Sequence, residues 1–238
     1  MTRFPRLEPL GTDALLVRFA DGLDDGANRR AVAFRAALEA DSLPGVVETA
    51  SSLASVLVRF DGDAAPIEAA LADRLSGSAE PRGGPAATAW TVPCAFGGGD
   101  GPQLAEVARA VGLSEADAVA ALCAGPVRVL ALGFAPGMPY LGILPERWDV
   151  PRQTGLTPEV PEGALVVAVR QLVLFGTKAP TGWRQVGATR FPCFRIDRDP
   201  PVALSPGDTV RFEPVARDEL DARAERDPRF GGAVRGAA

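Results

Sequence analysis

Four side chains between positions 140 and 183 are of types that bind a small polar molecule. Arg152 follows a proline and carries a planar, two-pronged donor that suits a carboxylate or a phosphate. Gln171 both donates and accepts hydrogen bonds, as recognition of an amide or a lactam requires. Tyr140 and Trp183 offer flat faces for stacking. With two apolar neighbours they form the predicted substrate-binding set: Phe134, Met138, Tyr140, Arg152, Gln171 and Trp183.

Several of these residues also have an ordinary structural role open to them. Arg152 can form a surface salt bridge with Glu159 or Glu162. Gln171 can satisfy the end of a strand, and Trp183 can belong to a barrel core. The alternatives stay open at this level. If the functional interpretation holds, the six side chains converge on one cleft with Arg152 as its main anion contact.

The segment GFAPGMPY at 133–140 is expected to fix the geometry of this set. Two glycines and two prolines in eight positions favour neither a helix nor a sheet ladder. A second rigid corner follows at 179–183. Rigid aromatic corners near one another are typical of pocket walls, and a packed structural corner is the alternative.

The chain contains no histidine, which excludes Ser-His-Asp and Cys-His catalysis and any histidine-ligated metal site. Its cysteines, Cys94, Cys123 and Cys193, form no CxxC pair and are expected to be inert thiols, so no metal site is recognisable. Glu146 and Asp149 lie near the loop, but nothing pairs them for acid–base work. No catalytic residue is assigned.

Composition excludes several classes of protein. A net charge of −5 argues against nucleic acid as the main partner. No apolar run approaches the roughly 20 residues of a bilayer-spanning helix, so no membrane association is expected. The first residues lack the apolar centre of a signal peptide, and unpaired cysteines suit a reducing compartment. We therefore predict a cytoplasmic protein.

Hydrophobic periodicity predicts a small two-layer α/β domain over residues 1–78, in the order β-α-β-β-α. The polar stretch 76–87 is the predicted domain boundary. The elements expected before it are a strand at 14–19, a helix from 24 or 25 to about 40, strands at 46–47 and 53–60, and a helix from about Pro66.

Residues 86–215 are predicted to form a β-barrel domain, because short strands and Pro/Gly turns alternate there. Its glycine-rich loop at 96–102 precedes a helix and suits an anion, but the P-loop pattern is absent and a flexible turn is the main expectation. The charged residues 216–238 are expected to be a frayed helix or disordered. Barrel strands are predicted at 127–132, 164–169, 172–175, 183–186, 194–196 and 209–212.

The motif GFAPGMPYLG at 133–142 is the most specific in the chain. Further motifs are Pro151-Arg152, Val160-Pro161, Gln171, Gly182-Trp183 and Pro206-Gly207-Asp208. In this order they resemble the allophanate hydrolase subunit 1 family, which includes the B subunit of prokaryotic 5-oxoprolinase, a sporulation-kinase inhibitor and part of the carboxyltransferase domain of urea carboxylase.

The resemblance implies an α+β protein in which the small α/β domain is followed by a cyclophilin-like barrel. It also implies a homologous second subunit, use of ATP by the pair, and a small amide, lactam or ureido substrate. The chain departs from the family pattern at several polar positions. The family's usual histidine falls near Leu122, and Leu156-Thr157 stands for Pro-Arg. Gly163-Ala164 stands for Gly-Ser, QLVLFG at 171–176 stands for Gln-Thr-Gly-Ile-Tyr-Pro, and Ala179-Pro180-Thr181 stands for Ser-Pro-Gly.

Loss of hydrogen-bonding groups weakens the binding of a polar substrate. Two functions therefore stay open: a subunit of an ATP-dependent amide or lactam hydrolase, and a non-catalytic binding or inhibitory module that keeps the family frame. A prolyl isomerase is disfavoured because it rests on the barrel alone. Leu172, Val173 and Phe175 are expected to form an exposed apolar patch for the partner subunit.

Overall fold

The computed structural model describes residues 4–76 and 87–237 and divides the chain into two compact units, 1–86 and 87–238. Each unit encloses its own apolar core. The predicted boundary at 76–87 lies almost entirely outside the described residues. Among the residues that are described, no helix has the length and apolar character that crossing a membrane requires.

The first unit packs two helices against a four-stranded antiparallel sheet with the strand order β1-β2-β4-β3. Its core forms because alternate strand residues such as Val17 and Val58 face the apolar stripe of the first helix, which includes Phe34. The two-layer prediction is confirmed, with one strand more than predicted. The elements are β1 (Arg6–Pro9), β2 (Ala14–Arg18), α1 (Asp25–Ala40), β3 (Val46–Ser51), β4 (Ser55–Phe60) and α2 (Ala64–Ser76).

The second unit contains ten strands, three helices and one 3-10 turn in its described residues. They are β5 (Thr88–Phe96), α3 (Leu104–Ala110), α4 (Glu115–Cys123), β6 (Val127–Leu132), β7 (Pro139–Gly142), the 3-10 turn Glu146–Trp148, β8 (Thr157–Val160), β9 (Ala164–Ala168), β10 (Gln171–Leu174), β11 (Ala179–Thr181), β12 (Arg184–Thr189), β13 (Thr209–Pro214), α5 (Arg217–Arg226) and β14 (Val234–Ala237).

Seven of these strands close into the predicted barrel. Their order is β12-β9-β10-β7-β6-β13-β5, and β12 pairs with β5 to complete the ring. The closing contact covers Cys94–Phe96 of β5, and β14 pairs with the other end of the same edge, at Thr88–Thr91. Residues such as Leu172 and Leu174 fill the barrel interior, while Val173 between them faces outward.

Three local predictions differ from the structure, two within the barrel and one in the segment that follows it. The predicted strand at 194–196 is wrong, because Phe194 forms only an isolated bridge with Val202 in the described structure. The loop predicted at 133–140 ends in a strand, β7. Pro139 is tolerated there because it is the first residue of the strand.

Residues 216–238 were expected to be frayed or disordered, and the described part contradicts this. Helix α5 is anchored by Leu220, which is fully buried, and by Arg223, which donates to Glu213 at 2.7 Å. Strand β14 then joins the sheet, with Val234 opposite Thr91. Pairing over a long sequence distance, which a local charge pattern does not reveal, therefore orders this segment.

Candidate functional site

A cavity of about 220 Å³ lies on the outer face of the barrel sheet, where strands β7 and β10 meet the corner that follows β11. Five of the six predicted binding residues line it, and Gln171 does not. The lining residues are Phe134, Met138, Tyr140, Arg152, Leu156, Val173, Phe175, Pro180, Thr181, Gly182 and Trp183. We call this cavity the Arg152 pocket.

The pocket wall follows from the alternation of side chains along the strands. Val173 lies opposite Tyr140 across the β10–β7 pairing, so both point to the outer face. Leu172, Val173 and Phe175 are only 0%, 2% and 4% exposed, which contradicts the exposed patch expected there. The reason is that Leu172 fills the barrel interior, while Val173 and Phe175 belong to an outer apolar cluster that also contains Met138 and Trp183.

The loop before β7 brings the first aromatic residue to the rim of the pocket. Gly137 has φ +70°, and a Cβ atom there would lie 2.6 Å from the carbonyl oxygen of Cys193, so only glycine fits. Phe134 also has a positive φ, +70°, and its side chain is 73% exposed. Such a backbone is costly for a bulky residue and is characteristic of functional sites.

Arg152 lies over the ring of Trp183, which in turn meets Tyr140. Its guanidinium carbon lies 5.5 Å from the ring centre of Trp183, within the range of a cation–π contact. Tyr140 meets Trp183 edge to face, with ring centres 6.3 Å apart and planes at 77°. Among the described residues no carboxylate lies within salt-bridge distance of Arg152. Glu159, one of its two suggested partners, pairs instead with Lys178 at 2.8 Å.

Gln171 does not reach the pocket, so its predicted place is corrected. It lies on the same face of β10 as Val173 but two residues earlier, roughly 7 Å further along the strand. Its side chain is 4% exposed and packs beside Gly142, and its Nε2 donor has no partner in the described structure.

The polar side chains of the described lining include the guanidinium of Arg152 and the hydroxyl groups of Tyr140 and Thr181. The described lining contains no carboxylate and no thiol. Elsewhere, burial raises the pKa of the Cys123 thiol to about 11 and that of Cys193 to about 12, and it raises the pKa of Cys94 well above the usual range. These thiols are therefore protonated at neutral pH. Arg152 is thus the one formally charged group among the described lining residues of the pocket.

A second, wider opening of about 730 Å³ lies beside the glycine-rich loop, and we call it the glycine-loop groove. It does not fit a phosphate chain, because the carboxylates of Glu115 and Glu219 line it. The glycines serve packing instead: Gly97 donates its N–H to the carbonyl of Val186, and any Cβ on Gly101 would overlap that same carbonyl.

Residues 5–204 match the family described as "Carboxyltransferase domain, subdomain C and D". The chain belongs to this family. It is 30% identical to the B subunit of 5-oxoprolinase from Bacillus subtilis (strain 168), covering 94% of this chain and 99% of that protein. It is 41% identical to the B subunit of 5-oxoprolinase from Escherichia coli O157:H7 over 52% of this chain and 56% of the relative.

The fold is also found in the crystal structure of TTHA0988, with a TM-score of 0.73 and 30% identity. That comparison covers 85% of this chain and 40% of the longer chain. The carboxyltransferase frame is therefore retained in both sequence and structure.

Some of the positions at which this chain departs from the pattern that the resemblance implies lie in the Arg152 pocket. Leu156, Val173, Phe175 and Thr181 all line it. They were not predicted as binding residues. With Phe175 in place of a tyrosine, the wall offers fewer hydrogen bonds and more apolar contact.

Proposed function

We propose that this chain is a subunit of an ATP-dependent amide or lactam hydrolase of the 5-oxoprolinase type, and that the Arg152 pocket holds its small anionic substrate. The observation that carries the proposal is the guanidinium of Arg152. It lies over Trp183 and has no ion-pair partner among the described residues. Two relatives, each named as the B subunit of a 5-oxoprolinase, support the choice of reaction.

The pocket suits a compact ligand with one flat face and one negative charge. Its volume of about 220 Å³ lies below the roughly 300–1,000 Å³ of pockets for drug-sized molecules. Arg152 provides two parallel donors for a carboxylate. The rings of Tyr140 and Trp183 provide walls against which a five-membered lactam can stack.

Activation of the bound substrate requires groups that the described lining lacks. We assign them to a homologous partner subunit, because no histidine exists in the chain and no described carboxylate lines the pocket. The glycine-loop groove does not fit ATP, so no step through ATP is assigned to the residues around it. We propose that ATP use belongs to the pair.

The absence of a base from the described lining also favours a second candidate, a non-catalytic binding or inhibitory module. Phe175, which stands where the family pattern has a tyrosine, supports it as well. The two candidates differ in turnover. Coexpression of the chain with its homologous partner, followed by assay of ATP hydrolysis with 5-oxoproline, should show substrate-dependent turnover for an enzyme subunit and none for a module.

The role of Arg152 is tested by calorimetry of 5-oxoproline binding in the presence of the partner. Arg152→Ala should weaken binding by roughly 1.5–3 kcal/mol, the scale of a hydrogen bond to a charged group. The fold should survive, because an exposed arginine contributes little to stability. Lys178→Ala is the matched control, since this cation pairs with Glu159 outside the pocket. Equal affinities of wild type and Arg152→Ala would defeat the assignment.

A further inference from the structure

We propose that Gln153 is a positioning residue of the Arg152 pocket. By fixing the backbone next to Arg152, it keeps the guanidinium of Arg152 over Trp183. The inference rests on the proposed function in one respect, that Arg152 is the anion contact. Arg152 is exposed, and apart from its cation–π contact with Trp183 no ion pair to a described residue holds its guanidinium.

Gln153 is tied to the rear of the pocket by both its backbone and its side chain. Its backbone N–H donates to the carbonyl of Gly182 at 2.7 Å. Its side-chain Nε2 donates to the carbonyl of Trp183 at 3.0 Å and to Oγ1 of Thr157 at 3.2 Å. Arg152 is therefore joined, through the next residue, to the strand corner that carries the ring it contacts.

The remaining polar atom of Gln153 is anchored to the barrel. Oε1 of Gln153 accepts from Nε2 of Gln103 at 2.7 Å. Gln103 is itself fixed on Gln185 of β12, because its Oε1 accepts the Gln185 N–H at 2.8 Å and its N–H donates to the Gln185 carbonyl at 3.0 Å. Both amide groups are thus oriented by rigid backbone partners rather than by solvent.

The residue before Arg152 is held separately. Nη1 of Arg184 donates to the carbonyl of Pro151 at 2.5 Å, while Nε of Arg184 donates to Glu106 of α3 at 2.7 Å. Arg152 therefore lies between two fixed neighbours in an otherwise exposed segment. Supporting groups that lock a binding residue are what keep such a site at productive geometry. We call this arrangement the Gln153 clamp.

The clamp is tested by a double-mutant cycle with two probes, 5-oxoproline, which is anionic, and 2-pyrrolidinone, which is neutral. Gln153→Ala should weaken 5-oxoproline binding roughly tenfold and leave 2-pyrrolidinone binding unchanged, because it acts through the charge of Arg152. In the Arg152→Ala variant, adding Gln153→Ala should not weaken 5-oxoproline binding further. Thr154→Ala is the matched control, since Thr154 is exposed in the same segment and makes no side-chain hydrogen bond to a described residue.

Additive losses in the cycle, or equal losses for both probes, would overturn the proposal. If Gln153→Ala does not fold, Gln103→Ala removes the anchor of the clamp without touching the segment. The anchor variant should also weaken binding of the anionic probe alone. An anchor variant that binds 5-oxoproline as tightly as wild type would overturn the proposal too.

A ligand-free measurement separates this inference from the proposed function. In 5-fluorotryptophan-labelled protein, the Trp183 resonance is assigned with Trp183→Phe. Gln153→Ala should shift the Trp183 resonance toward the position that it has in Arg152→Met. When Gln153→Ala is added to Arg152→Met, the resonance should not shift further. A shift that persists there would be a direct effect on the Trp183 carbonyl and would overturn the clamp. If wild type binds neither lactam, the proposed substrate fails while this readout still decides the clamp.

Discussion

The Arg152 pocket and the glycine-loop groove both adjoin segments rich in glycine, yet they are built for different purposes. The pocket is small, has aromatic walls and contains one cation as the single formal charge among its described lining residues. The groove is more than three times larger, and Glu115 and Glu219 line it. Volume alone would select the groove, whereas charge and shape select the pocket for a small anion.

The comparison teaches that a glycine-rich sequence does not reveal its own purpose. Gly137 near the pocket and Gly101 near the groove both permit a close backbone approach, to Cys193 and to Val186 respectively. Beside Gly137, however, the chain holds Phe134 in a costly conformation at the pocket rim. The groove loop has no such residue, since its positive-φ positions, Gly97 and Gly98, are glycines.

The largest expected effect is on the packing of the groove loop. Gly101→Ala should lower the free energy of unfolding by about 3 kcal/mol or more, because its methyl group would overlap the Val186 carbonyl, a backbone group that cannot move aside. Chemical denaturation measures this. Gly99→Ala, in the same loop with open space around it, should stay within about 0.5 kcal/mol of wild type. Similar stabilities for the two variants would remove the packing explanation.

A smaller effect of opposite sign is expected at the pocket rim. Phe134→Gly should raise the free energy of unfolding by roughly 0.5–1 kcal/mol. Relief of a left-handed backbone gains about 1–2 kcal/mol, and the added freedom of the unfolded chain offsets part of it. Phe134→Ala keeps the backbone cost and is the control. Urea unfolding should rank Phe134→Gly above Phe134→Ala, while both bind 5-oxoproline more weakly than wild type. The reverse ranking would show that this rim is not strained.

The sequence predicted elements whose signals are local. Helix α1, predicted from position 24 or 25, begins where Asp24 caps it by accepting the Ala27 N–H at 2.6 Å. The Gly/Pro corners likewise predicted four of the pocket residues, Phe134, Met138, Tyr140 and Trp183, because rigid turns direct the side chains beside them.

What could not be predicted depends on register between distant strands. β14, with the sequence VRGA, has no strand pattern of its own and is defined by its pairing with β5. Gln171 fell outside the pocket because the pairing of Leu172 with Leu141 places it beside Gly142 rather than Tyr140. A slip of two residues would have brought it in, and no local feature of the sequence fixes that choice.

The smallest functional effect is expected for the thiol of α4, the helix that lines the groove and ends at Cys123. Burial raises its pKa to about 11, so the unreactive thiol predominates below that pH. Alkylation of Cys123, followed by peptide mass spectrometry, should accelerate about tenfold per pH unit between pH 7 and 10. Cys123→Ala should leave 5-oxoproline affinity within about twofold of wild type. A midpoint near pH 8.5, the ordinary value for a free thiol, would instead mark a reactive residue near the groove.

The seam of the barrel has a consequence for how the protein is made. One edge of β5 is completed by β12 and by β14, and its other edge by β13. Ala89 therefore pairs only after Thr209 has been synthesised, and Thr91 pairs only after Val234 has been synthesised. During synthesis, β5 leaves the ribosome long before these strands exist, with both edges open to other chains. Barrel closure is thus a late step that follows translation of nearly the whole barrel unit, and slow release of the nascent chain lengthens its exposure to misassociation.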